Sequence, residues 1–284
     1  MSEHLRVGRR NDPNAFASEV IPFLLEDEQA NCLMAAILFI REGLGGQYLA
    51  TVYDNHGLRG VAFRTPLKLL LSRMDEDAAR TLAADAYRAI PELDEVLGPR
   101  PEVDAFAAAW SSLTGRAARS GRLERIYRLD EVEPVHGVSG IMRPIREGDR
   151  AIVVPWIEAM NAELGDYIDL PTAKAVFERH LVSHTAFLWD HNGPASMAAA
   201  RASSPNTCRI SLVYTPPECR RRGYAAALVA AVSQHVLNSG TRWCVLYTDL
   251  TNPTSNHIYQ QIGYQPICDA QEYSLSGERS GLRL

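Results

Sequence analysis

The residues with most to offer chemically lie in one short stretch, Val213-Tyr214-Thr215-Pro216-Pro217-Glu218-Cys219-Arg220-Arg221-Arg222-Gly223-Tyr224-Ala225-Ala226. A β-rich run leads into Pro-Pro, then three arginines, then glycine, then an alanine-rich helical sequence. Glycine at a strand-to-helix turn lets backbone approach a ligand closely. The N–H groups of a helix's first turn lack intrahelical acceptors, and the macrodipole favours an anion at that end. Three adjacent arginines add attraction for phosphate. Together these features predict a phosphate site. It is not a P-loop, because no G-x-x-x-x-G-K-[ST] occurs, nor is it the dinucleotide G-x-G-x-x-G. Taken alone, Arg221 and Arg222 read equally as a solvated face. Cys219 has no base beside it in sequence and reads as a small packing residue.

Arg220-x-x-Gly223-x-Ala225 resembles the [QR]-x-x-G-x-[GA] motif of the GNAT N-acyltransferase superfamily. Thr215-Pro216-Pro217-Glu218 stands where that family has its strand end and V-x-P-E lead-in. Further on, Asn252-Pro253-Thr254-Ser255-Asn256-His257-Ile258-Tyr259-Gln260-Gln261-Ile262-Gly263-Tyr264 resembles the family's N-x-x-[SA]-x-x-[IL]-Y-x-x-x-G-[FY] block. The resemblance runs from Ile141 to Leu275. It implies direct transfer of an acetyl group from acetyl-CoA to the amine of a small molecule or peptide, without a metal. Backbone of Val213, Tyr214 and Thr215 would pair with the pantetheine arm. Arg220, Arg221, Arg222, Gly223, Tyr224, Ala225 and Ala226 would cradle the pyrophosphate. Asn252 and Asn256 would contact the cofactor, and Tyr259 would protonate the departing thiolate. A tyrosine suits that task, being neutral at pH 7 with a pKa close to that of a thiol.

Each of these residues also has a plainer reading. Tyr259 could be a core aromatic, and Asn252 before Pro253 a helix cap. Some relatives carry a glutamate base at the position that Tyr247 holds here, and a tyrosine cannot serve easily as a base at neutral pH. Asp249 shares that strand face if the strand persists. It is the candidate base, against a turn-forming aspartate at a strand end. A CoA-binding regulatory or scaffold protein without turnover is the alternative function. Loss of Tyr259 or Gly223 would favour it, and both are present.

The elements that must position these residues follow an α/β pattern. In the first half, Pro22 to Leu25 precede a helix over Asn31 to Arg41, apolar nearly all round and stopped by Gly43, Gly45 and Gly46. Strands follow at Tyr48–Tyr53 and Val61–Thr65, then a short apolar run at Leu67–Leu71. Helices at Asp75–Ile90 and Glu102–Leu113 flank a strand at Val96-Leu97, and Leu123–Leu129 is a last strand. Glu131 to Gly140, rich in Pro, Gly, Val and Ser, reads as a linker. The same order then repeats: strand, two helices, a hairpin, a strand, the helix from Arg222 to Ser239, the strand Cys244–Thr248, the helix Thr254–Gln261 and a final strand. Asp54-Asn55-His56-Gly57 and Asp190-His191-Asn192-Gly193 mark the two hairpins, followed by Arg64 with Pro66 and Arg201 with Pro205. Such turn letters are common, but their matched setting predicts internal duplication. The resemblance gives the fold as two GNAT-type mixed, twisted sheets flanked by helices, in tandem. Residues 1–132 would be a degenerate unit without phosphate loop, and 141–284 the catalytic one.

Composition bounds the rest. The chain has 284 residues, 46% hydrophobic, with a net charge of −5 and a pI near 5.9. That balance opposes a general nucleic-acid binder. The five cysteines form no C-x-x-C pair, so a disulfide framework or structural zinc is not expected. The polar start, MSEHLRVGRR, has no signal core behind it, and the apolar stretch Cys32–Ile40 is too short to span a bilayer. The expected compartment is the cytoplasm. Glu163, Asp166 and Asp169 crowd one connection, which fits a cationic acceptor or a solvated loop.

Overall fold

The computed structural model describes residues 4–40 and 48–276. The first half contains β1 (Arg6–Arg10), α1 (Pro13–Glu26), α2 (Cys32–Ile40), β2 (Leu49–Tyr53), β3 (Leu58–Arg64) and β4 (Leu69–Leu71). It continues with α3 (Glu76–Ala89), β5 (Glu95–Pro99), α4 (Arg100–Thr114) and β6 (Arg119–Leu129). The second half contains β7 (Ile141–Pro144), α5 (Arg150–Glu163), α6 (Leu170–Ser183), β8 (Ala186–Asp190), β9 (Pro194–Ala202) and β10 (Thr207–Tyr214). It ends with α7 (Tyr224–Asn238), β11 (Trp243–Asp249), α8 (Pro253–Gln261) and β12 (Gln265–Ser274). Element for element, the two series are the same.

Strand pairing repeats as well. β1, β2, β3 and β4 are successive antiparallel neighbours, and β4 runs parallel to β5. In the same way β7, β8, β9 and β10 are antiparallel neighbours, and β10 runs parallel to β11. The expected duplication is present in both order and topology.

The described residues divide into two units, though not by a cut at the linker. The first holds residues up to Ile126, Tyr247–Pro253 and the segment from Pro266; the second holds Tyr127–Leu246 and Thr254–Gln265. β12, the last strand of the second repeat, pairs antiparallel with β5 from Ala270↔Pro99 to Ser274↔Glu95. The C-terminal strand therefore completes the first unit.

Each unit carries apolar side chains on both faces of its sheet. In the second, Tyr127, Phe187, Leu228 and Tyr259 pack with α7 and α8, and Ile157, Phe177, Leu188 and Met197 pack with α5 and α6. In the first, Leu82, Val96, Phe106 and Trp110 form the core with α3 and α4, and Phe16, Leu24, Leu49 and Phe63 that with α1 and α2. Among the described residues no helix is long and apolar enough to cross a membrane.

Three expectations change. β1 is a strand where the sequence shows three arginines and a glycine around a single valine, Val7. Its charges are neutralised from outside the strand: Arg9 forms two 2.9 Å bonds with Asp85, and Arg10 pairs with Glu19 at 2.7 and 2.8 Å. Pro22 lies inside α1 rather than ahead of a helix. The segment Glu131–Gly140 is a packed strap. Val132, Val135 and Val138 press on the second unit's core, the Glu133 N–H donates to the Ile262 carbonyl at 2.8 Å, and Trp189 Nε1–H donates to the Ser139 carbonyl at 3.0 Å. Arg41 and the stop expected at Gly43, Gly45 and Gly46 lie outside the described residues.

Candidate active site

β10 departs from regular pairing where its last residues become informative. Its register against β9 runs Ile210↔Ala200, Ser211↔Ala199, then jumps to Tyr214↔Met197. Leu212 takes a left-handed φ of 51°, so the strand bulges and twists there. Against β11 it pairs only through Thr207, Cys208 and Arg209. Ile210 to Tyr214 thus have no β11 partner and present a row of backbone groups to an extended chain. Ser196 pins the strand end: its Oγ donates to the Tyr214 carbonyl at 3.0 Å and lies 2.8 Å from Thr215 Oγ1.

The loop after β10 opens with one 3₁₀ turn, Pro217–Cys219. Arg221 is left-handed at φ 63°, and Gly223, preceding α7, is left-handed at φ 79°, ψ 1°. A β-carbon at position 223 would lie 2.9 Å from Val138 Cγ2. Conformation and close approach both require glycine there. The Ala227 N–H donates to the Gly223 carbonyl at 3.0 Å, and no side chain caps the helix. The N–H groups of Tyr224, Ala225 and Ala226 therefore point out of the helix end without acceptors among the described residues.

The arginines divide into two kinds. Arg220 is a brace: Nε donates to the Thr215 carbonyl at 2.8 Å, Nη2 donates to Glu163 Oε1 at 2.6 Å, and the guanidinium lies 5.7 Å from the Tyr214 ring. Arg221 and Arg222 are exposed beside the helix end. Tyr224 turns inward, buried, with its hydroxyl 2.6 Å from His191 Nδ1. Its backbone faces the loop while its side chain anchors the helix. Cys219 packs at the edge of the second unit's core.

Tyr259 projects from α8 into apolar surroundings. Its ring lies 6.5 Å from that of Tyr127 and 6.0 Å, edge-on, from that of Tyr264. Only 7% of the residue is exposed, and burial pushes the phenol up to about 12. The hydroxyl bonds to no described residue. One turn of α8 is tied to Tyr127, whose hydroxyl donates to Asn256 Oδ1 at 3.0 Å and accepts from Gln260 Nε2 at 3.3 Å. The sequence reading misses Tyr127. Its signal, a tyrosine inside an otherwise ordinary strand, is not specific.

Asn252 and Asp249 belong to the first unit. Asn252 is exposed, and its N–H donates to the Asp249 carbonyl at 3.1 Å. Asp249 ends β11, and its Oδ1 accepts from the Thr251 N–H at 2.7 Å and from Thr251 Oγ1 at 2.6 Å. That is the bonding of a turn-forming aspartate. The Tyr247 hydroxyl lies 3.6 Å from Cys32 Sγ. In the acidic connection of the second unit, Glu163 is paired with Arg220. Asp169 accepts from the Thr172 N–H at 2.8 Å and caps α6. Hydrogen bonds from Thr172 hold its carboxyl below the usual range.

The equivalent corner of the first unit is closed. Asp75 caps α3 through the Ala78 N–H at 2.8 Å, and Glu76 and Asp77 occupy the first turn. Negative charge there complements the helix end and repels an anion. A β-carbon at Gly98 on β5 would lie 2.9 Å from Leu71 Cβ on β4. α4, in the place of α8, contains no tyrosine.

Comparison with known proteins agrees with this geometry. Residues 189–274 match the family model described as FR47-like protein. No curated protein sequence matches the chain. A GCN5-related N-acetyltransferase from Sphaerobacter thermophilus superposes with a TM-score of 0.64 at 15% identity, covering 98% of each chain. A GNAT-family acetyltransferase from Colwellia psychrerythraea gives 0.63 at 11%, covering 95% of this chain and 99% of that one. A tandem GNAT protein from the clavulanic acid biosynthesis pathway gives 0.57 at 13%, covering 97% and 100%. Over nearly its whole length the chain carries the GNAT fold, and its second half bears the FR47-like match.

Proposed function

We propose that the chain is an N-acetyltransferase that moves the acetyl group of acetyl-CoA to a primary amine of a small molecule or peptide, with the second unit as its working half. The observation that carries this reading is the uncapped start of α7, where Gly223 leaves three N–H groups without a described acceptor beside a β10 edge that β11 does not pair. The donor set suits a diphosphate: three aligned amides, a helix dipole and the exposed Arg221 and Arg222. The β10 edge suits an extended amide chain. Acetyl-CoA supplies the activated thioester. The amine nitrogen forms a bond to the carbonyl carbon as the carbon–sulfur bond breaks. Tyr259 delivers its proton to the leaving sulfur, and water takes the proton that the amine sheds. Much of the acceleration rests on positioning. Asp249 is the remaining candidate for accepting the amine's proton. Thr251 already holds one of its oxygens, which favours water in that role.

The first unit, with acid at its α3 start, would hold no CoA. We place the reaction in the cytoplasm, which suits five free cysteines. A thiol-release assay with acetyl-CoA and an amine panel tests the whole reading. Thiol release that requires both the amine and Tyr259 supports it. CoA binding without turnover on any amine would instead favour a regulatory CoA-binding protein.

A further inference from the structure

The first unit holds a cavity of about 380 Å³ that acetyl transfer does not use. It lies between Arg64 at the end of β3, the Pro91–Asp94 connection ahead of β5, and the end of α4 with Arg116 beyond it. β4 and β5 are parallel, and the cavity sits at their N-terminal end. α3 starts at the other end, so this is not the counterpart of the phosphate loop.

Four charged side chains line the cavity: Arg64, Arg116, Glu92 and Asp94. Arg64 is half-buried, and Glu92, Asp94 and Arg116 are exposed at the cavity's rim. None of the four side chains has an ion pair or hydrogen bond with a described residue. By contrast Arg9, Arg10, Arg59 and Arg80 of the same unit are all ion-paired. Apolar walls come from Leu93 and Trp110, 3% and 2% exposed. α3 and α4 both end at this cavity, and helix C-termini favour a cation. The size falls in the usual ~300–1,000 Å³ range for small-ligand sites. Two cations and two carboxylates without partners among the described residues, beside an apolar wall, suit a small molecule bearing both charges and an apolar group.

We propose that this cavity binds a free α-amino acid with an apolar side chain. The guanidinium groups of Arg64 and Arg116 take the carboxylate, for which their planar forks are shaped. Glu92 and Asp94 take the ammonium group, and the side chain lies against Trp110 and Leu93. The site is separate from acetyl transfer and does not rest on that reading.

Calorimetry on the full chain tests it, with L-leucine, L-methionine and L-phenylalanine as probes. At least one should bind. N-acetyl-L-leucine lacks the ammonium group and L-leucinamide lacks the carboxylate; each should bind about tenfold or more weakly than leucine, the scale of one charged hydrogen bond. Arg64→Gln and Arg116→Gln should each weaken binding to a similar degree. Circular dichroism checks that both variants fold, as these partly solvent-facing positions should allow. Gly223→Glu, once circular dichroism shows that it too folds, should leave binding unchanged. Absence of binding by all three amino acids overturns the proposal, as does equal binding of the two derivatives. So does binding that survives Arg64→Gln and disappears in Gly223→Glu, which would move the ligand to the acetyl-transfer site.

Discussion

Tyr259 is held by packing between two other tyrosine rings, and its hydroxyl bonds to no described residue. Removing that hydroxyl therefore breaks no hydrogen bond to a described residue. Tyr259→Phe should leave the melting temperature and CoA affinity nearly unchanged while turnover falls by roughly a hundredfold or more, the scale of a positioned acid. Steady-state rates and thermal melts on one preparation check this; full turnover in the variant would assign proton delivery to water. The raised phenol adds a pH signature. A tyrosine titrating near its ordinary value of about 10 would make kcat decline above that pH. With the phenol pushed up to about 12, the acid stays protonated longer, and kcat should hold through about pH 11. His180 gives the opposite limb for stability. Burial, then the charges of Arg179 and Arg201, lower it to about 4, so the unfolded chain binds its proton first as pH falls. Its stabilising contribution is complete above about 6.5 and is lost between there and about 4. Denaturant melts at pH 7 and pH 4.5 should differ less in His180→Gln than in the parent. A pH dependence identical in both would show that other groups control it.

At the level of elements, the β10–loop–α7 corner is the part most legible in sequence, because glycine and proline mark backbone that cannot be regular. Gly223 adds a contact that the sequence does not show, a close approach to Val138 in the strap. Gly223→Ala combines this clash with a left-handed backbone, which costs on the order of 1–2 kcal/mol for a side-chain-bearing residue. Acetyl-CoA affinity by calorimetry should fall about tenfold or more as the loop shifts. Val138→Ala added to Gly223→Ala should recover part of it by opening space, though the φ cost remains. No recovery would mean that backbone strain alone sets the loop. Arg220 shows where motif reading stops short: its partners Thr215 and Glu163 make it a brace, and Glu163 lies too far away in sequence to signal the pairing. β1 was illegible for a related reason. Its glycine is depleted from strands, its three arginines and single valine give no apolar alternation, and the acids that neutralise Arg9 and Arg10, Asp85 and Glu19, sit on helices elsewhere.

For the whole molecule, the duplication could be read from matched hairpins and a matched order of elements, since both are local. The exchange of the last strand could not. β12 alternates as any half-buried strand does, and nothing in that pattern says whether β5 or β11 is its neighbour; β5 takes it. A chain ending at Gln265 tests the consequence. It removes the antiparallel partner of Glu95–Pro99 and the Glu272 carboxylate paired with Lys68. It also removes Asp269, which accepts two bonds from Arg125, and Leu275 from the core of α3 and α4. Leu275 alone contributes about 2 kcal/mol of burial, and the freed β5 edge exposes backbone groups that were paired. Loss of protection should therefore appear in the first unit, far from the cut in sequence. Hydrogen exchange is the measurement that resolves this by position. The amides of β5 and of α3 should exchange much faster in the shortened chain, while those of α7 keep most of their protection, because its core partners Tyr127, Phe187 and Leu246 all precede the cut. Had the strand served its own repeat, the order would reverse, with α7 and β11 exposed and β5 intact. That reversal would show that the units fold as the two sequence repeats, each with its own last strand.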